Sequence, residues 1–86
     1  MSTVEQAYRH IATIDGVRSG CAVVAGTRIA VHDVIGLILN GASIDDVAHS
    51  FPSLTRSQVY ECLAYYEEHK AEIDYAVARQ MAEPET

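Results

Sequence analysis

The chain has 86 residues, 49% of them hydrophobic, and a formal net charge of −6 at pH 7. That length allows one small domain, which buries only about 60–65% of its unfolded surface, so part of the apolar surface is expected to meet another chain. No apolar run of about 18 residues is present to span a membrane, and the polar residues 1–10 lack the apolar centre of a secretion signal, so a cytoplasmic chain is expected.

Residues 1–9 are read as a flexible segment, 10–81 as a single domain and 82–86 as a disordered tail. His10-Ile11-Ala12-Thr13-Ile14 alternates and is β-prone, and Asp15-Gly16 marks a turn. Ala22-Val23-Val24 gives a second short strand, and Arg28-Ile29-Ala30-Val31 a third. Between them Gly26 and Thr27 read as turn chemistry rather than ligand binding. Strands this short need a helix face or a second copy beside them. Residues 33–40 read as the first helix, apolar over more than one face through Val34, Ile35, Leu37, Ile38 and Leu39, with Gly41 as its cap. Ser43 caps a second helix, and Asp45 and Asp46 suit the positive end of its dipole. Ile44, Val47, Ala48 and Phe51 form its buried stripe, and Pro52 ends it.

Thr55 and Gln58 form a capping box at the start of a third helix. No Gly or Pro follows until Pro84, so a helix of about 26 residues is predicted to about Met81, roughly 39 Å long at 1.5 Å per residue. Its apolar residues Val59, Leu63, Tyr66, Ile73 and Val77 follow a 4-3-7-4 spacing, with Lys70 where a bridging apolar residue would fall. The far half, with Ile73, Tyr75, Val77 and Met81, outruns the body formed by the first two helices and calls for a partner surface. The fold class is therefore mostly α: a three-helix helix-turn-helix core, a short N-terminal β-hairpin or small sheet, and a long C-terminal helix.

Charge divides the chain. Up to Ala42, Arg9, Arg18 and Arg28 balance Glu5, Asp15 and Asp33; from Ser43 onward Arg56, Lys70 and Arg79 face nine acids. That excess repels phosphate backbones at long range. Cys21 and Cys62 have no C-x-x-C spacing and are expected to be free thiols. His10, His32, His49 and His69 share no ligand spacing, so no metal is expected. There is no nucleophile elbow and no phosphate-cradling loop, and helix capping explains the paired Asp45 and Asp46. No catalytic activity, cofactor or small-molecule substrate is expected.

Three segments carry a family resemblance. Gly20-Cys21-Ala22-Val23-Val24-Ala25-Gly26-Thr27-Arg28-Ile29-Ala30-Val31 resembles a G-K-P-V-I-x-G-T-R-I-P-V motif. Asn40-Gly41-Ala42-Ser43-Ile44-Asp45-Asp46-Val47 resembles a G-x-S-x-E-E-I segment, and Phe51-Pro52-Ser53-Leu54-Thr55 resembles a Y-P-x-L-T turn, with Tyr65-Tyr66 where an alanine- or leucine-tyrosine pair falls. These are marks of the bacterial family catalogued as domain of unknown function 433, and they cover about residues 10 to 75. Membership implies a homeodomain-like or winged helix-turn-helix fold. It also implies a frequent role as a VapB-type antitoxin, in toxin–antitoxin operons beside a toxin nuclease of the PIN-like fold. The chain departs from the motif at Cys21, Ala22, Ala25 and Ala30, which stand for a lysine, a proline, a variable and often basic residue, and a second proline.

Two kinds of surface follow. In a helix-turn-helix the second helix of the motif enters the major groove by its first residues. Thr55, Arg56, Ser57, Gln58 and Tyr60 are the DNA-binding candidates there, with Arg56 suited to guanine and Gln58 to adenine. Their alternative is a solvated helix face. Arg28 is a further phosphate or partner contact, or else a fold-internal ion pair with Asp33 or a carboxylate of the C-terminal helix. The partner or dimer interface is assigned to Val23, Val24, Ile29, Tyr66, Ile73, Tyr75, Val77 and Met81, with core packing the alternative for Tyr66. Glu67, Glu68, Glu72 and Asp74 form an acidic face, either solvated or mimicking nucleic acid on the basic cleft of a nuclease. The function implied is an antitoxin-like, homodimeric regulator that neutralises a PIN-like toxin nuclease and weakly binds operator DNA. The alternative is a homodimeric interaction module without DNA binding.

Overall fold

Two three-residue strands open the fold in the computed structural model, which describes residues 8–13, 16 and 18–82. Ile14, Asp15 and most of the expected N-terminal segment and tail lie outside the described residues. Ile11–Thr13 (β1) and Ala22–Val24 (β2) pair antiparallel, with Ile11 opposite Val24, Ala12 opposite Val23 and Thr13 opposite Ala22. One turn of 3-10 helix, Arg18–Gly20, lies between them. After β2 the chain turns on Gly26, whose φ of +83° is a conformation that L side chains rarely adopt. Thr27 closes this turn: its N–H reaches the Val24 carbonyl at 3.0 Å, and its hydroxyl donates to the same oxygen at 2.8 Å. The expected third strand shrinks to one bridge, Ala30 to Val23, because the first helix already begins at Val31 and buries Val31 and His32 in its first turn.

Four helices follow: Val31–Leu39 (α1), Ile44–Ser50 (α2), Arg56–Glu68 (α3) and Lys70–Ala82 (α4). Their ends are set locally. At the end of α1, Gly41 N–H bonds the Ile38 carbonyl at 2.9 Å and Ala42 N–H bonds that of Leu37 at 3.0 Å, the paired bonds of a Schellman cap. Ser43 Oγ accepts the Asp46 N–H at 3.0 Å while Asp46 accepts the Ser43 N–H at 2.9 Å. At α3, Thr55 Oγ1 accepts the Gln58 N–H at 3.1 Å and Gln58 Oε1 accepts the Thr55 N–H at 2.7 Å. Each box satisfies two helix-start amides reciprocally. Thr55→Ala should therefore destabilise the protein by about 1 kcal/mol in urea unfolding. Exposed Ser57→Ala should stay within about 0.5 kcal/mol of the parent.

The single long helix of the sequence reading is two helices. His69 leaves the helical region at φ −135°, ψ 40°, and α4 folds back to rest mainly on α1. His69 also caps the end it creates. Its N–H bonds the Tyr66 carbonyl at 3.1 Å, and its ring Nδ1, protonated, bonds that of Tyr65 at 3.1 Å. The ring stacks on Tyr65 with centroids 4.0 Å apart, and Tyr8 packs edge-on against Tyr65. The reason for the break is burial. Ile73 enters the core, and Val77 packs over Gly36, its Cγ1 3.9 Å from the place a Cβ would take there, so α4 lies in van der Waals contact with α1. Burying Ile73 alone contributes about 1.5–3 kcal/mol. A break forfeits two or three solvent-accessible helix bonds, each worth about 1 kcal/mol net, and the His69 cap restores part of that.

The core is a cluster of small branched side chains, Val24, Val31, Val34, Ile35, Val47, Val59 and Cys62 among them, closed by Ile11, Leu54 and Ile73. This corrects part of the interface assignment. Val23 and Val24 are fully enclosed and Ile73 is 2% exposed, so all three sit inside the protomer, Val24 and Ile73 within the core that the helices close. Ile29, Tyr66 and Val77 are half-buried against the core, whereas Tyr75 (65%) and Met81 (69%) stay open.

Candidate functional site

At the start of α3 the candidate DNA contacts sit together on an exposed helix end, and the fold already engages most of them. Thr55 and Gln58 bond each other. The Arg56 guanidinium is paired with Asp45 of α2, whose carboxylate holds the Arg56 pKa above its ordinary value. An ion pair this exposed adds little stability. Tyr60 and Ser57 face solvent. Behind them Glu61 is half-buried and tied to His10, Nδ1 to Oε1 at 2.6 Å and N–H to Oε1 at 3.1 Å. Burial pushes the Glu61 carboxyl up, but the His10 hydrogen bonds outweigh it and leave it below the usual range.

The bend at His69 builds a second surface. Glu67, Glu68, Glu72 and Asp74, from the end of α3 and the start of α4, meet at one corner and are exposed. Tyrosines hold three of them: Tyr66 donates to Asp74 at 2.8 Å, Tyr65 to Glu72 at 3.5 Å, and Tyr8 to Glu68. The Asp74 bond, with some burial, raises the Tyr66 pKa; burial and then Glu72 raise that of Tyr65. Lys70 lies 3.6 Å from Glu67 and 5.7 Å above the Tyr66 ring. The four acids were legible in sequence as one face. Their tyrosine clamps were not, because they depend on the bend.

The strongest electrostatic cluster lies where the 3-10 turn, α1 and α4 meet. Arg18 grips Asp33 with both terminal nitrogens, at 2.5 and 3.3 Å. Asp33 also accepts the Ala30 N–H at 3.0 Å and the Gln80 amide at 3.3 Å. Burial pushes the Asp33 carboxyl up, but the bonds from Arg18 and Ala30 more than offset it, so it stays below the usual range. His32, almost enclosed beside it, has its pKa lowered by burial, against the pull of Asp33 3.9 Å away. Arg18, His32, Tyr75 and Gln80 line an open groove of about 540 Å³ between α4 and β2. Arg18 thus takes the ion-pair role weighed for Arg28. Among the described residues Arg28 has no ion-pair partner, and its carbonyl accepts from Arg18 at 3.1 Å. No local pattern in the sequence marks Arg18 for this role.

Cys62 is fully buried, and burial pushes its thiol up to about 12, so it stays protonated and inert; Cys21 is half-buried and free. Among the described residues no group of three or more His, Cys, Asp or Glu is placed to hold a metal ion, and no helix is long and apolar enough to cross a membrane.

A small antiparallel ribbon under four helices, with charged exposed corners, is the class of protein that fold and surfaces define. The family model described as "Protein of unknown function (DUF433)" matches residues 11–66, and the chain belongs to that family. It is similar to the crystal structure of a DUF433 member protein from Anabaena variabilis ATCC 29413 at 2.00 Å resolution, with 29% identity, coverage of 80% of this chain and 68% of that one, and a TM-score of 0.77. No curated protein matches it.

Proposed function

We propose that this chain is an antitoxin-like regulatory protein that works by binding another protein through the acidic corner at the α3–α4 bend. The partner would present a basic surface, as a phosphate-gripping cleft of the PIN-like toxin nuclease implied by the family resemblance would. The observation that carries this reading is the gathering of tyrosine hydroxyls on these acids: Tyr66 holds Asp74 at 2.8 Å, Tyr8 bonds Glu68, and Tyr65 lies 3.5 Å from Glu72. Carboxylates held in place lose less side-chain freedom on docking than free ones. A dense negative patch also steers a basic partner and excludes acidic ones. The activity is non-catalytic and calls for no cofactor, and its setting would be the cytoplasm.

The test is calorimetric titration with the purified product of the reading frame adjacent to this gene. Glu67→Lys with Glu72→Lys should weaken binding at least about tenfold at low salt, the signature of lost charge complementarity. Unchanged affinity in that double variant would remove the corner from the interface.

A second reading has one observation in its favour: Arg56, Ser57 and Tyr60 are exposed together at the first turn of α3, after α2 and a short turn. In a helix-turn-helix that is the end that enters the groove. With one arginine per protomer, operator binding by a homodimer would show a weak salt dependence, a log–log slope near −2 at about −0.9 per phosphate. A gel shift on the upstream region of its own operon reads this, and no shift with or without the partner protein ends the DNA role.

A further inference from the structure

We propose that α4 is an exchangeable arm: two copies of this chain form a dimer in which α3 and α4 of each straighten into one helix and each α4 packs on the α1 of the other. Three observations meet in this. First, the break between α3 and α4 is a single residue, His69, and residues 56–82 contain no Gly or Pro that would oppose a continuous helix. Second, what holds the bend lies within a few residues of it: the His69 ring bond to the Tyr65 carbonyl at 3.1 Å, its stack on Tyr65 at 4.0 Å, and the hydroxyl bonds of Tyr66 to Asp74 and Tyr65 to Glu72. Third, α4 rests mainly on α1, an element remote in sequence, through Ile73, Val77 over Gly36, and Gln80 on Asp33. An α4 from a second copy makes the same contacts.

The closed monomer and the exchanged dimer therefore share their α1–α4 interface and differ at the hinge and in the entropy of association. That is the condition under which swapping an identical element is a low-cost route to dimers. Straightening restores the backbone bonds that the bend interrupts, and concentration supplies the rest. The exchanged dimer has no bend at His69 and so gives up the tyrosine bonds of the acidic corner; it is a different state of the chain from the one that would dock a basic partner, and the disulfide test reads the exchange alone.

Gly36→Cys with Val77→Cys, in a Cys21→Ser background, reports which chain supplies α4. The full-length protein is refolded at low micromolar and near-millimolar concentration, oxidised, and run on a non-reducing gel beside light scattering. At low concentration the disulfide should form within one chain. At high concentration a substantial share should become covalent dimer. His69→Ala and His69→Gln, which delete the ring cap and favour helix, should shift the product to mostly covalent dimer; His69→Gly should restore the monomer. Intramolecular disulfides alone at both concentrations overturn the proposal, and so does a dimer by scattering whose disulfides all lie within chains. If the His69 variants fail to fold by circular dichroism, the parent pair at high concentration decides by the same criterion.

Discussion

Ile73→Ala should destabilise the protein by about 3 kcal/mol, within the range of 2–5 for truncating a buried isoleucine to alanine. For a domain of this size that lowers the melting temperature by roughly 12–24 °C, at about 4–8 °C per kcal/mol. Ile73 is 2% exposed and belongs to the core although it lies beyond the bend. Truncation leaves a cavity between α1 and α4 that the packed valines around it cannot fill. Tyr75→Ala, two residues on and open to solvent, should change stability by no more than about 0.5 kcal/mol. Thermal unfolding followed by circular dichroism separates the two. Equal, small effects at both positions would mean that α4 does not dock on α1 in solution.

Asp33→Ala should cost about 2–3 kcal/mol, because one carboxylate serves three partners. Its loss strands the Arg18 guanidinium and uncaps the Ala30 N–H at the start of α1. Gln80 loses its bond from α4 as well. Arg18 keeps some access to water, which sets the estimate toward the lower end of the cost of breaking a buried pair. The pH dependence follows from the sign of the shift. The folded-state pKa of Asp33 lies below its unfolded value, so the stability it contributes is fully present above about pH 4, the ordinary carboxylate range. It is lost as pH falls from there through the lower, folded-state pKa. Asp46 and Glu61, also depressed, add to the same acid-side decline. In Asp33→Ala the fall in urea midpoint between pH 6 and pH 3 should be shallower than in the parent. A parallel fall in both proteins would contradict the assigned role of the pair.

What was legible in the sequence is what local chemistry decides. Ser43 with Asp46, Thr55 with Gln58, Gly41 after α1 and Gly26 in the turn all sit where their residue types placed them. The small ribbon and the helices before residue 68 follow from patterns a few residues wide. Two features escaped because they are tertiary. Nothing between residues 56 and 82 disfavours helix, so the break at His69 is set by the burial that Ile73 and Val77 gain on α1, not by local propensity. One signal was present: Lys70 stands in the gap of the apolar spacing, next to the break, where a continuous seam would need an apolar side chain. The other is Arg18, which reaches Asp33 from a 3-10 turn with positive φ, outside any periodic element. Asp33 was placed in the first helix, but its partner was not identifiable by spacing. Val23 and Val24 read as interface because short strands need covering; both are fully enclosed within the protomer, Val24 in the helix-packed core.

The proposed binding surface exists only because the chain bends at His69 and brings Tyr65 and Tyr66 against Glu72 and Asp74. Backbone amide shifts of the labelled protein, followed by NMR during titration with the neighbouring gene product, examine this directly. Residues 65–74 should shift or broaden on addition of the partner, while residues 55–60 stay in place. Perturbation confined to the start of α3, with the bend unmoved, would contradict the assignment of the acidic corner as the docking surface.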